Sequence, residues 1–139
     1  MIDITRLVLD FGLFILIWMT QLIVYPSFLF YPAKEILAWH ERYTKAIAII
    51  VFPLMLGQLS ITIFQVFITQ NIYTFTSTLL VVFLWVITLS KFAPIHKQIS
   101  LGKSSRKLLT NLIQGNWVRT VSWTLLFIMS AISVFMDRY

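Results

Sequence analysis

Cysteine is absent from the 139 residues, which excludes disulfides, thiolate metal sites and cysteine nucleophiles. Charge is almost as scarce. Charged residues make up 12% of the chain and only five are acidic, where a soluble domain carries about 25% charged residues. There is too little polar surface to coat a water-soluble globule. No carboxylate stands near the middle of an apolar run, as a proton-coupled carrier would require. Asp10 is the only acid inside one, and Arg6 one turn earlier makes a local pair near the outer surface the simple reading. There is no nucleophile elbow, phosphate loop, HExxH, EF-hand or glutamate-rich di-iron pattern. The first apolar run has no basic leader and no small-residue cleavage site, and three more runs follow, so it reads as a span and not as a signal peptide.

What the chain does have is apolar: 59% hydrophobic and 16% aromatic residues. Four runs stand out, at about 7–30, 46–69, 74–92 and 117–136. Each is near the roughly 20 residues that carry a helix across the hydrocarbon core. Helices are required because backbone groups in lipid must be satisfied within the segment. The expectation is a single all-α domain, an integral membrane four-helix bundle in the bacterial inner membrane, in contact with the lipid bilayer.

The connections differ in length. A tight polar turn at Gln70-Asn71 joins spans two and three. Tyr31 to Lys45 reads as a linker or a helical extension of the second span. Ser104 to Gln114 sets Leu108, Leu109, Leu112 and Ile113 on one face, as in a short interfacial helix or an extension of the fourth span. Lys34, Arg42, Lys45, Lys91, Lys97, Lys103, Arg106, Lys107 and Arg119 fall on the side of the two long connections, against Arg6 and Arg138 opposite. The positive-inside rule then places those connections in the cytoplasm and both termini outside. The net charge of +6 reads as topology signal and anionic-lipid contact, with no nucleic-acid footprint.

The only histidines are His40 and His96, both expected near the cytoplasmic headgroup level. Antiparallel neighbours would bring them together, where two imidazoles can ligate haem iron or another metal, or relay protons. The plain alternative is two interfacial polar residues, like the adjacent Trp39 and Lys97. Tyr25 lies at the same level. Asn116, Arg119, Thr120 and Trp123 are spaced to share one helix face. An arginine so flanked can hold a carboxylate or phosphate, or simply snorkel within an aromatic belt. Trp18, Gln21 and Tyr25 share a face of the first span, and Gln58, Thr62, Gln65 and Thr69 a face of the second. Interhelical hydrogen bonds explain those two stripes most simply. Pro53 with Gly57 is expected to kink the second span.

Several of these pieces together resemble a group of uncharacterised bacterial four-span membrane proteins of about this length. They are Tyr25-Pro26-Ser27-Phe28, Trp39-His40-Glu41-Arg42-Tyr43, Pro53-Leu54-Met55 with Gln58, Pro94-Ile95-His96 with Leu101-Gly102, and Asn116-Trp117-Val118-Arg119-Thr120 with Trp123. Gln58 stands where that group often has an acidic residue, and Tyr43 and Lys45 stand where a second histidine often follows. Both departures weaken a metal-site reading. In layout the chain is also similar to membrane-bound haem-associated protoporphyrinogen oxidases and to four-span proteins grouped with anthrone oxygenases.

Three functions are compatible with these residues. One is a membrane redox or cofactor-binding protein acting on a hydrophobic small molecule at the cytoplasmic interface. In it His40 and His96 act as ligands or proton carriers, Tyr25 lies beside them, and Asn116, Arg119 and Trp123 help to hold a cofactor such as haem. The second is a small dimeric transporter. The third is a non-catalytic subunit or scaffold, paired with itself or with another membrane subunit.

Overall fold

The computed structural model describes residues 1–136; Arg138, counted above on the sparsely charged side, lies outside them. Four helices, α1 (Ile2–Phe30), α2 (Ala33–Ile68), α3 (Ile72–Ser100) and α4 (Arg106–Met136), are each long and apolar enough to cross a membrane. At 1.5 Å per residue they measure about 43 to 54 Å, against a hydrocarbon core of about 30 Å. Each therefore carries at least one turn beyond the lipid tails. α1 packs on α2 and α4, and α3 packs on the same two, so the order around the bundle follows the chain.

The helices outrun the apolar runs that mark them. α2 begins at Ala33, so most of the expected first connection is helix. α3 continues to Ser100 and α4 starts at Arg106, leaving only Leu101 to Ser105 as a true loop. Lysine, glutamate and arginine are good helix formers, so the charged stretches end the hydropathy signal without ending the helix. The turn at residues 69–71 is as short as expected. Asn71 Oδ1 accepts from the Thr74 amide at 2.9 Å, and the Asn71 amide donates to Thr74 Oγ1 at 3.2 Å, a reciprocal cap that starts α3. Gly102 closes α3 with φ +80°. Its amide donates to the Ile99 carbonyl, and that of Lys103 to Gln98, a left-handed helix stop that favours glycine.

Two short π-helical segments interrupt the α geometry, Thr20–Val24 in α1 and Thr88–Phe92 in α3. Each precedes a proline, Pro26 or Pro94. A proline offers no N–H to the carbonyl four residues back and crowds it. Those carbonyls belong to Leu22 and Ser90, inside the π segments, where the wider turn relieves the conflict. Pro53 lies within α2.

The distribution of side chains is the reverse of a soluble bundle. Ile4, Val8, Phe11, Ile49, Phe64, Phe67, Leu79 and Val121 point outward, while Arg6, Asp10, Gln58, Thr62, Gln65, Asn116 and Thr120 are buried. Such an exterior suits lipid, and polar groups in lipid turn toward the bundle. The apolar core has two parts. Leu13, Ile17, Met55, Val81, Leu84, Trp123 and Leu126 fill the middle. Tyr25, Phe28, Ile36, Phe92, Ile99, Leu109 and Leu112 fill the end that carries the two long connections. Leu109 and Leu112 thus confirm the apolar face of the α4 extension.

At the terminal end of the bundle α1 and α2 are joined by a buried polar network. Arg6 Nε meets Asp10 Oδ2 at 2.7 Å, with both side chains fully buried. The expected local pair forms, and it lies inside the bundle. Gln58 Nε2 donates to Asp10 Oδ1 at 2.6 Å, and Arg6 Nη1 donates to Gln65 Oε1 at 3.1 Å. Gln65 Nε2 donates to Asp3 at 2.9 Å, and Trp123 Nε1 on α4 donates to Gln58 Oε1 at 3.3 Å. Of the expected polar stripe on α2, Gln58, Thr62 and Gln65 are buried and Thr69 is exposed.

Removing one partner of a buried ion pair leaves the other uncompensated and costs about 3–5 kcal/mol. Arg6→Leu is therefore expected to lower the unfolding midpoint in mild detergent by that order. Adding Asp10→Asn, which removes the stranded carboxylate and keeps an acceptor for Gln58, should restore part of it. Equal midpoints for the single and double variants would show that the charge pair does not hold this end together.

Candidate functional site

The other end of the bundle holds the residues singled out from the sequence. Helix α2 carries His40 and α3 carries His96, and their antiparallel packing brings His40 Nε2 to 2.8 Å from His96 Nδ1. The far nitrogen of His96, Nε2, lies 2.9 Å from the Tyr25 hydroxyl on α1. The far nitrogen of His40, Nδ1, lies 3.4 Å from Ser100 Oγ at the end of α3. The result is one row, Ser100, His40, His96, Tyr25, drawn from three helices. Phe28 packs edge-on against His40 and holds the ring in place. Tyr25 and His40 are buried, His96 is half-buried and Ser100 is exposed, so the row runs from the bundle surface inward.

Arg119 on α4 interacts with the Tyr25 side chain. It sits over Phe92 at 4.5 Å and over Trp123 at 5.1 Å, within cation–π range of both. Its Nη1 donates to Asn116 Oδ1 at 3.3 Å. Asn116 in turn donates to Gln21 Oε1 at 2.9 Å, and Thr120 donates to the same oxygen at 3.2 Å. Gln21 also donates to the Ile113 carbonyl. The face expected from spacing, Asn116, Arg119, Thr120 and Trp123, is thus buried as a unit. Gln21 of α1, which the sequence suggested only as a packing residue, is its hub. Trp18 Nε1 reaches Thr124 Oγ1 at 3.1 Å.

A guanidinium has donors and no acceptor, so donation from Arg119 to the Tyr25 oxygen would give the row one order. In that order the phenolic proton points to His96 Nε2. His96 then carries its proton on Nδ1 and donates to His40 Nε2, and His40 carries its own on Nδ1, toward Ser100. Every ring nitrogen is engaged, and none is left facing open space.

Tyr25, His96, Arg119 and Trp123 line one cavity of about 330 Å³, whose remaining wall is mostly apolar. Both π segments contribute to it, through Thr20 and through Thr88, Leu89 and Phe92. Three polar atoms on its lining residues are buried with no partner: Trp85 Nε1, Thr88 Oγ1 and Arg119 Nε. Trp85 and Thr88 are one turn apart on α3. Sequence reasoning left both unremarked as candidates, since a tryptophan and a threonine inside an apolar run read as bulk. Tyr43, noted only in the comparison with a family pattern, also lines the cavity.

Among the described residues no cluster of three or more histidine, aspartate or glutamate side chains could hold a metal ion. No protein-family model, no curated protein and no solved structure matches the chain.

The proton order is open to direct measurement. Side-chain ¹⁵N spectra of the protein in detergent at neutral pH are expected to show both histidines as Nδ1–H tautomers. Tyr25→Phe removes the donor that polarises the row and should move His96 toward the Nε2–H form. Two Nε2–H histidines in the unaltered protein would mean that the row runs the other way.

Proposed function

We propose that this is a multi-pass membrane protein whose inter-helical cavity binds a hydrophobic small molecule at the cytoplasmic interface, where the Tyr25–His96–His40 row exchanges a proton with it. The observation that carries this reading is the coincidence of three features at one place. They are an apolar cavity, unpartnered buried donors around it, and a hydrogen-bonded row that ends in it. Leaving a buried donor unpaired costs about 1–3 kcal/mol. Three around one cavity are explained by an acceptor that the protein itself does not supply. Packing alone, as in a scaffold, gives no reason for them.

The row has the polarity of a base. A proton arriving at the Tyr25 oxygen sends the phenolic proton to His96 Nε2. The Nδ1 proton of His96 passes to His40 Nε2, and that of His40 leaves toward Ser100. One proton enters, one leaves, and both rings change tautomer. Histidine suits this work because its two nitrogens accept and donate at once. The basic residues around Ser100, including Lys97 and Lys103, put the exit at the end that the positive-inside rule assigns to the cytoplasm. Axial ligation of haem by His40 or His96 fits this geometry poorly, because the nitrogens an iron would need already face each other and Tyr25.

Occupancy is tested with bromoundecanol, a chain whose bromine quenches tryptophan, on protein in phosphatidylcholine nanodiscs. Trp85 and Trp123 line the cavity, so saturable quenching is expected. Ala48→Phe, which fills the cavity from α2, should abolish it. The same saturation is expected to shift the ring ¹⁵N signals of His96. Quenching without saturation would remove the cavity as a binding site, and saturation that leaves His96 unmoved would separate the row from it.

A further inference from the structure

Among the described residues, Arg119 is a buried cation without a counter-ion. It is 7% exposed, and its partners are the Asn116 amide oxygen, the faces of Phe92 and Trp123, and the neutral Tyr25. The chain has five acids. Asp10 is paired with Arg6, Glu41 with Lys45, and Asp3 accepts from Gln65. Glu35 is exposed in the first turn of α2, and Asp137 lies outside the described residues. None of the described acids is an ion-pair partner of Arg119. The contrast with Arg6 is instructive, since at the opposite end of the same bundle a buried arginine is given an aspartate one turn away. A buried charge is tolerated when it is paired. Arg119 lines the cavity together with Trp85 and Thr88 of α3, whose buried donors are also unpartnered.

Resting on the reading that the cavity binds a hydrophobic molecule, we infer that its ligand is a single-chain amphiphile with a carboxylic acid head, held ionised against Arg119. The free Nε edge of a guanidinium matches the two oxygens of a carboxylate. Trp85 and Thr88 supply donors from the adjacent helix α3. The chain lies along Leu13, Ile17, Val51 and Met55, which line the cavity toward the middle of the bundle. The proton row completes the chemistry. An acid crosses lipid in its neutral form. Once it is bound, its O–H bond breaks and the proton goes to the Tyr25 oxygen as the phenolic proton moves to His96 Nε2. His96 Nδ1 then gives up its proton to His40, and His40 Nδ1 releases one at the Ser100 end. The carboxylate is left opposite the cation, with no oxidant or reductant involved.

The test compares three bromine-tagged probes of equal chain length, the acid, the alcohol and the alkyl phosphate, by saturable tryptophan quenching in phosphatidylcholine nanodiscs. A charge-assisted pair with Arg119 predicts that the acid binds at least about tenfold tighter than the alcohol. Arg119→Gln should erase that preference while leaving alcohol binding in place. Thr88→Val, which removes a hydroxyl without an internal partner, should weaken acid binding several-fold with no loss of thermal stability. That variant keeps the test valid should Arg119→Gln fail to fold. Equal binding of acid and alcohol would overturn the anionic head and leave the hydrophobic site standing. Tighter binding of the phosphate would overturn the carboxylate in favour of a phospholipid-type head. No saturable binding of any probe would remove the cavity reading itself.

Discussion

Within lipid there is no water to satisfy a polar group, so each inward-facing donor or acceptor needs a partner in its own helix or on another. That constraint organises the molecule. It ties α1 to α2 through Arg6, Asp10, Gln58 and Gln65, and ties α1 to α4 through Gln21, Asn116 and Thr120. It also gives the exceptions their meaning. Of the four buried side-chain atoms without partners among the described residues, Arg6 Nη2 belongs to a guanidinium already paired, and the other three belong to residues that line one cavity.

The bundle is differentiated along its axis. One end spends its polar residues on closure: a carboxylate, a guanidinium and two glutamine amides answer one another, and the Trp123 indole joins them. The other end spends them on a row that begins at the exposed Ser100 and stops at a cavity. Trp123 connects the two halves, since its N–H serves the closed network while its ring lies beside Arg119. A change at the cavity that moves this indole also reaches the hydrogen bonds of Gln58 and Asp10.

The prolines act where they break helical hydrogen bonding. Pro26 and Pro94 stand two residues after π segments that both line the cavity. A π turn rotates the residues that follow it relative to an unbroken α-helix. Tyr25 and His96, each just beyond such a turn, meet at hydrogen-bond distance.

Hydropathy and charge sufficed to show four helices, the short turn at Gln70-Asn71 and the end at which the basic residues gather, because these depend on the solvent each residue type tolerates. Helical spacing likewise grouped Asn116, Arg119, Thr120 and Trp123, since side chains three and four apart share a face whatever surrounds them. The two histidines were legible as a pair at one depth, because depth follows from counting residues along a helix. What spacing cannot contain is the identity of the facing helix. That Gln21 would answer Asn116, that Gln58 would answer Asp10, and that Arg119 would meet no acid depend on how four helices rotate and pack. Rotation is decided by the summed fit of all the buried side chains. Trp85 and Thr88 illustrate the limit: in the sequence they are two residues of an apolar run, and only the packing of α3 leaves their donors without partners beside a cavity.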